Sequence, residues 1–251
     1  MNARHVVITG GGAGIGAAIA RAAAAKGARL TLLGRSPAPL EAVAGSLQHA
    51  RAVTCDVTCE ASVASAFEQA RAAFGPVEIL INNAGAAPTA PFHKLTGEAW
   101  REVMAVNLDG VFNCTSAAID DMLAANWGRI VNIASTAALR GYAYVSAYSA
   151  AKHGVLGLTR SLALETVKRG ITVNAVCPGY TDTDIIRRSV QAIVEKTGRS
   201  EAEALATFTA TNPQGRLIQP DEVAASVLWL CSEDARSITG QAISVSGGEV
   251  M

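Results

Sequence analysis

Short runs of β-branched and other apolar residues alternate along the chain with longer, alanine-rich stretches whose apolar positions recur at helical spacing. The pattern predicts strands at 5–9, 29–33, 51–55, 77–82, 129–134, 171–176 and 242–245. Between them it predicts helices at 15–26, 39–47, 61–74, 98–125, 147–169 and 220–231. A looser helical insert over 184–210 breaks the alternation after a strand end; it carries Arg187, Arg188, Glu195, Lys196, Arg199, Glu201 and Glu203, and reads as a substrate lid. Alternation this regular implies parallel pairing, right-handed crossovers and helices on both faces of the sheet. The expected fold class is α/β, a doubly wound parallel sheet of seven strands in a single domain over 1–251, because no linker, charge block or internal repeat marks a second one.

Composition narrows the partners. The 251 residues carry 21 Lys+Arg against 21 Asp+Glu, and this balance argues against binding to a phosphate backbone, which needs clustered cations. Nucleic acid is therefore not an expected partner. Cys55, Cys59, Cys114, Cys177 and Cys231 are odd in number and show no C-x-x-C spacing, so neither a disulfide framework nor a zinc site is indicated, and a reducing, cytoplasmic compartment fits. The apolar run at the start ends in glycines after five residues, too short for a signal sequence or a membrane span. Asn113-Cys114-Thr115 matches a glycosylation sequon, which without secretion is a coincidence. His5, His49, His93 and His153 form no H-x-x-x-H pair, so no metal is expected.

The first chemical signal is the segment Thr9-Gly10-Gly11-Gly12-Ala13-Gly14-Ile15-Gly16, which follows the first strand and opens the first helix. A pyrophosphate can rest on a helix N-terminus only where the backbone comes close, and residues without a Cβ permit this. The strict G-x-G-x-x-G pattern is absent; Gly12-Ala13-Gly14-Ile15-Gly16-Ala17 matches only the form that ends in Ala. A flexible turn would account for two glycines more readily than for five in seven residues. The second strand then ends Leu33-Gly34-Arg35, where a carboxylate would favour an unphosphorylated ribose and an Arg accommodates a 2′-phosphate, so NADP(H) is favoured over NAD(H).

Tyr148 and Lys152 lie four residues apart in a helical pattern, on one face about a turn apart. A phenol titrates near 10, so acid/base work near neutrality requires preferential stabilisation of the phenolate, and a neighbouring ammonium supplies it. Alone, such a pair is also an ordinary surface feature. It stands, however, in an ordered set: Thr9-Gly10-x-x-x-Gly14-x-Gly16, Asn82-Asn83-Ala84-Gly85, Asn107, Ser135, Tyr148-x-x-x-Lys152 and Pro178-Gly179-x-x-x-Thr183. In this order and register the six motifs resemble the short-chain dehydrogenase/reductase family over nearly the whole chain.

The resemblance implies a Rossmann-type domain and an NAD(P)(H)-dependent oxidoreductase that interconverts a secondary alcohol and a ketone. It implies that Tyr148 gives a proton to the carbonyl oxygen in reduction, that Lys152 lowers the phenol pKa and holds the nicotinamide ribose, and that Ser135 fixes the substrate oxygen. Asn107 would hold a water that joins Lys152 to solvent. Cofactor contacts would come from Gly10, Gly12, Gly14, Ile15, Gly16, Arg35, Tyr148 and Lys152. The resemblance further assigns Asp56 and Val57 to the adenine, Asn83, Ala84 and Gly85 to the adenosine ribose and the neighbouring strand, and Pro178, Gly179, Thr181 and Thr183 to the carboxamide. Standing alone, Asp56 would equally be a helix-start residue and Asn83-Ala84-Gly85 a tight turn.

The substrate is less constrained, because its pocket is built from loops. Ala86, Ala87, Pro88, Thr136, Ala137, Leu139, Arg140, Tyr142, Tyr144, Val145, Tyr180 and the lid are the candidate walls, and they are largely apolar. Regional similarity points to 3-oxoacyl thioester reductases and to 3-hydroxybutyrate dehydrogenases. Where the second branch carries Gln, His and Lys to meet a carboxylate, this chain has Ala87, Ala137 and Val145, which favours a β-hydroxy/β-oxo acyl thioester of CoA or a carrier protein. Arg140, Arg187, Arg188 or Lys196 would then meet its phosphates. A steroid, sugar or cyclic alcohol is the alternative substrate, and a nucleotide-binding regulator without turnover the alternative class, although such a protein would lose Tyr or Lys. Apolar residues around much of the 98–125 and 147–169 helices, more than one sheet face can cover, imply a homotetramer that also uses 238–250, with a dimer as the smaller alternative.

Overall fold

The computed structural model describes residue 1 and residues 3–251. Seven strands, β1 (His5–Thr9), β2 (Arg29–Gly34), β3 (Ala50–Thr54), β4 (Ile79–Asn82), β5 (Gly128–Ile133), β6 (Ile171–Pro178) and β7 (Ala242–Val245), form one sheet in the order β3-β2-β1-β4-β5-β6-β7. Every neighbouring pair is parallel. The order reverses between β1 and β4, and at such a switch point the strand ends open a crevice.

The two-residue period of the strands sorts their side chains between two cores. Val6 and Ile8, Leu30 and Leu32, Ile79 and Ile81, and Val131 and Ile133 pack on one face, with α1 (Gly14–Ala24) and later α9 (Pro220–Leu230). Val7, Leu33, Leu80 and Ile130 turn to the other, against α3 (Glu60–Phe74) and α5 (Gly110–Ala125). Both faces are covered, so the strands read as near-continuous apolar runs. Each such fully buried side chain contributes about 1.5–3 kcal/mol. Between α1 and α3 lies α2 (Pro37–Gly45), and before α5 lies α4 (Gly97–Met104). α6 (Ser146–Thr166) follows β5, and α7 (Asp184–Thr197) and α8 (Glu201–Thr209) follow β6.

Three departures from the expected elements have physical causes. The 98–125 stretch is not one regular helix: residues Ala105–Asp109 form a wider π turn between α4 and α5, and Asn107 at its centre is fully buried. The insert over 184–210 is more regular than expected, since Ser200 and Glu203 form a reciprocal capping box that starts a second helix. β6 runs on to Pro178 because β7 pairs with its end, Pro178 opposite Val245. The sequon is interior to α5, where Asn113 Nδ2 donates to the Val57 carbonyl oxygen at 2.9 Å. All five cysteines are free thiols, and of these Cys59 is exposed. Among the described residues no helix is long and apolar enough to cross a membrane.

Candidate active site

The ends of β1, β4, β5 and β6 open into a cleft of about 470 Å³. The glycine loop forms its floor at one end. Gly10 has φ of 66° and Gly14 of 51°, the left-handed region in which glycine carries no steric penalty. A Cβ on Gly16 would stand 2.2 Å from the Gly10 carbonyl oxygen, so the loop can fold back on the start of α1 only with glycine there. That helix has Ala13 at its N-cap, no side-chain cap and no acidic residue in its first turn, so its first N–H groups remain open to an anion. β4 is tied to the loop: Asn83 Nδ2 donates to the carbonyl oxygens of Thr9 and Gly10 at 2.9 and 3.1 Å. Thr9 Oγ1 accepts from the amides of Asn83 and Ala84, both at 2.9 Å. The Asn83 amide hydrogens are thus spent on holding the cradle.

Ser135 follows β5, and α6 presents Tyr148 and Lys152 to the same cleft. Lys152 Nζ donates to the Ile133 carbonyl oxygen at 2.9 Å and lies 5.6 Å from the centre of the Tyr148 ring. Burial holds the Lys152 ammonium down at about 8. Burial also pushes the Tyr148 phenol above its ordinary value, with the Ser135 hydroxyl pulling the other way. Among the protein's own groups desolvation therefore outweighs the lowering of the phenol that the Tyr-Lys spacing suggests. Asn107 stands behind this set. Its Nδ2 donates to the carbonyl oxygens of Ala86 at 2.8 Å and Val103 at 3.0 Å, and its Oδ1 accepts from the Ala86 amide at 3.3 Å.

Of the residues singled out in the sequence, Gly10, Gly14, Ile15, Asn83, Ala84, Gly85, Ser135, Tyr148, Lys152, Pro178, Gly179, Thr181 and Thr183 line the one cleft. Gly12 and Gly16 sit behind it: a Cβ on Gly12 would press on the start of α2 at 3.0 Å. Arg35 is exposed beyond the end of β2, and Val57 is buried. Asp56 Oδ1 accepts from the Thr58 amide at 3.0 Å and the Thr58 hydroxyl at 2.8 Å, which holds its carboxyl below the usual range. This Asx turn lies ahead of α3, whose N-cap is Cys59.

The expected substrate walls divide between two hollows. Ala86, Ala87, Thr136, Ala137, Tyr142, Val145 and Tyr180 line the cleft, together with Ile185, Ile186, Ser189 and Phe208 from the insert. Pro88 and Tyr144 line a separate small hollow of about 50 Å³ instead. Arg140 pairs with Glu249 at 3.2 Å, and Arg187 with Asp182 at 3.1 Å, so two of the four cations expected to meet phosphates are already engaged. Thr89 and Glu249 escape a reading of motifs. The second has a signal nonetheless, the glycine pair directly before it.

A doubly wound parallel sheet with a glycine loop at its switch point, and a Ser, Tyr and Lys gathered in the same crevice, defines a nicotinamide-dependent oxidoreductase. The chain belongs to the short-chain dehydrogenase family, whose sequence model matches residues 4–193. It is 42% identical over 250 residues to cis-4-hydroxycyclohexanecarboxylate dehydrogenase of Sinomonas cyclohexanicum, covering 98% of this chain and 96% of that protein. To acetoacetyl-CoA reductase of Rhizobium meliloti (strain 1021) it is 40% identical, covering 98% of each. Among solved structures, a variant of actinorhodin polyketide ketoreductase with NADPH superimposes with a TM-score of 0.94 at 37% identity, over 98% of this chain and 97% of that one. The protein is accordingly an oxidoreductase acting on CH–OH groups, and the regulator without turnover is set aside.

Proposed function

We propose that the chain reduces the ketone of a 3-oxoacyl thioester with NADPH, and the convergence of Ser135, Tyr148 and Lys152 on the cleft beside the glycine loop is the observation that carries this reading. The open N-terminus of α1 and the close approach at Gly10 and Gly14 fit a pyrophosphate, and the exposed guanidinium of Arg35 fits a 2′-phosphate. Bound there, the cofactor's nicotinamide supplies the hydride chemistry. Tyr148 gives its proton to the developing alkoxide. Burial, which raises its phenol above the ordinary value, keeps the proton available for this donor role. Ser135 hydrogen-bonds the same oxygen and orients it. Lys152 holds the nicotinamide ribose, and Asn107 shapes the turn at Ala86 and holds the water that joins Lys152 to solvent.

The thioester reading rests on an apolar cleft with Ala87, Ala137 and Val145 where a free acid would need polar or cationic groups. α7 and α8 act as the lid of the single domain, contributing Ile185, Ile186 and Phe208. A cyclic ketone is the second reading, favoured by the 42% identity to an enzyme named for a hydroxycyclohexanecarboxylate. Assembly as a homotetramer is supported by Phe112 and Leu164, which leave 55% and 80% of their surface exposed on α5 and α6. Free thiols fit a cytoplasmic setting.

The test is NADPH consumption against a panel of 3-oxoacyl thioesters, free 3-oxo acids and cyclic ketones, with wild type and Tyr148→Phe. The thioesters should be turned over best, and Tyr148→Phe should bind NADPH normally yet lose turnover by about two or more orders of magnitude. Rates within a few fold of wild type would remove Tyr148 as proton donor.

A further inference from the structure

Beyond β7 the chain makes a hook. Gly247 and Gly248 have φ of 63° and 92°, and the Val250 amide donates back to Ser246 Oγ at 3.3 Å, so the tail reverses and turns Glu249 inward. A Cβ on Gly247 would lie 2.2 Å from Asn212 Oδ1, which presses this turn onto the segment that leaves α8. Although Glu249 is the third residue from the end, its side chain is 1% exposed. Its Oε1 accepts from Tyr142 Oη at 2.7 Å, Thr211 Oγ1 at 2.8 Å and Arg140 Nη2 at 3.2 Å. One carboxylate therefore joins the loop after β5, the exit of the insert and the C-terminus.

The charge stands close behind the cleft wall. Gly179 lines the cleft, and a Cβ there would come within 2.9 Å of Glu249 Oε2. Tyr142, also a wall residue, has one hydroxyl hydrogen and two partners, Glu249 at 2.7 Å and Thr136 Oγ1 at 2.8 Å. The carboxylate takes that hydrogen and Thr136 supplies its own. Arg140 lies over the Tyr142 ring at 4.5 Å, so the guanidinium on this side is both compensated by Glu249 and screened from the cleft by the phenol. Among the described residues that line the cleft, Lys152 and Asp184 alone carry charge, and the Lys152 ammonium is anchored on the Ile133 carbonyl oxygen at the Tyr148 end, where the reading above gives it the nicotinamide ribose.

We propose that Glu249 is a positioning residue that sets charge selectivity: its buried carboxylate neutralises Arg140 and fixes Tyr142, so the cleft accepts ketones whose recognised end is uncharged and rejects those with a free carboxylate. This deepens the reading of the cleft as a carbonyl-reducing site and rests on it. With Arg140 compensated by Glu249 and screened by Tyr142, an anion entering the low-dielectric cleft gains no attraction from this wall, an arrangement that discriminates by withholding a counter-charge.

The experiment compares acid with ester in two pairs, acetoacetate against ethyl acetoacetate and 4-oxocyclohexanecarboxylate against its methyl ester. The acid-to-ester ratio is read as kcat/KM, and as affinity for the NADPH-loaded enzyme by quenching of bound-NADPH fluorescence. Wild type should favour the esters. Glu249→Gln keeps an acceptor for Tyr142 but removes the charge, and should move the ratio toward the acids about tenfold. Adding Arg140→Gln should cancel most of that gain. A ratio within about twofold of wild type in a folded Glu249→Gln enzyme, or a gain that survives loss of Arg140, overturns the proposal. If Glu249→Gln does not fold, Arg140→Gln alone decides: leaving Glu249 uncompensated, it should sharpen the preference for esters, and an unchanged ratio refutes it. Turnover confined to the cyclic pair would instead defeat the thioester reading while leaving the ratio measurable.

Discussion

Gly85 faces the carboxamide of Asn107 so closely that a Cβ at position 85 would stand 2.7 Å from Asn107 Oδ1 and 3.6 Å from Lys152 Nζ. The buried π turn presents Asn107 to the end of β4, and the missing side chain of Gly85 makes room for it. Substituting Gly85→Ala should push Asn107 away from Ala86 and displace the neighbouring ammonium by a few tenths of an ångström or more. Turnover should fall by about a hundredfold, the scale of a small misplacement at a reacting centre. NADPH affinity should fall much less, a split that pre-steady-state kinetics with a binding titration will measure.

Lys152 gives a pH dependence whose sign follows from its environment. Its value is lowered from 10.5 to about 8 by burial, so below about 8 it is charged in the folded and unfolded chains alike and the full desolvation cost applies. Between about 8 and 10.5 the unfolded chain binds the extra proton, and stability from this group rises with pH. Lys152→Met, which removes the charge, should therefore be the more stable protein at pH 7 in the absence of nucleotide, by about 1–3 kcal/mol once the orphaned Ile133 carbonyl is counted. The gap should narrow as the pH rises through that window. Urea unfolding of both proteins at a series of pH values is the measurement, and a gap that widens with pH contradicts the assignment.

Cofactor preference is expected to turn on two residues at the end of β2. The Gly34 position is open enough that a Cβ would only touch Leu40 at 3.5 Å, so a side chain can be introduced there without moving the backbone. Gly34→Asp with Arg35→Ala should remove a phosphate contact, add repulsion toward it and shift the ratio of kcat/KM for NADPH and NADH toward NADH by about tenfold or more. Equal use of the two cofactors by wild type would show that Arg35 does not read the 2′-phosphate.

Assembly has an equally direct check. Leu164 on α6 is 80% exposed, more than a solitary surface leucine needs to be in a helix that also contributes Val155 and Leu156 to the core. Leu164→Arg should lower the molecular mass seen by light scattering from that of a tetramer to that of a smaller species at micromolar concentration. A wild-type monomer under the same conditions would end the proposal.

Much of the fold is legible because a parallel sheet covered on both faces writes itself as apolar strands; β1 and β7 fall at 5–9 and 242–245 as their patterns indicate. Ends are less legible where a turn competes: α2 starts at Pro37 because proline is well suited to the first helical turn, and α1 stops at Ala24 ahead of Gly27, whose φ is 75°. The π turn leaves a faint trace, since Val103, Asn107 and Val111 are buried at intervals of four, a little more than the about 3.6 residues of a regular turn. Ser135, Tyr148 and Lys152 are visible as motif residues, but their pKa directions are not, because desolvation depends on walls contributed by distant segments. Glu249 is only half legible for the same reason: the glycine pair before it marks a turn, but its partners Arg140, Tyr142 and Thr211 are 38 to 109 residues away in sequence.

The distribution of thiols has a practical use. Cys114 and Cys231 are buried with their ionisation suppressed, Cys55 is buried and shifted the same way, and Cys177 is held at about 11. Cys59 is exposed at the N-cap of α3, and its backbone amide donates to the Asp56 carbonyl oxygen at 3.1 Å. A maleimide dye should therefore attach at one place without mutagenesis, beside the residue expected to meet the adenine. It offers a reporter of nucleotide arrival that is independent of hydride transfer and works equally in variants that no longer turn over.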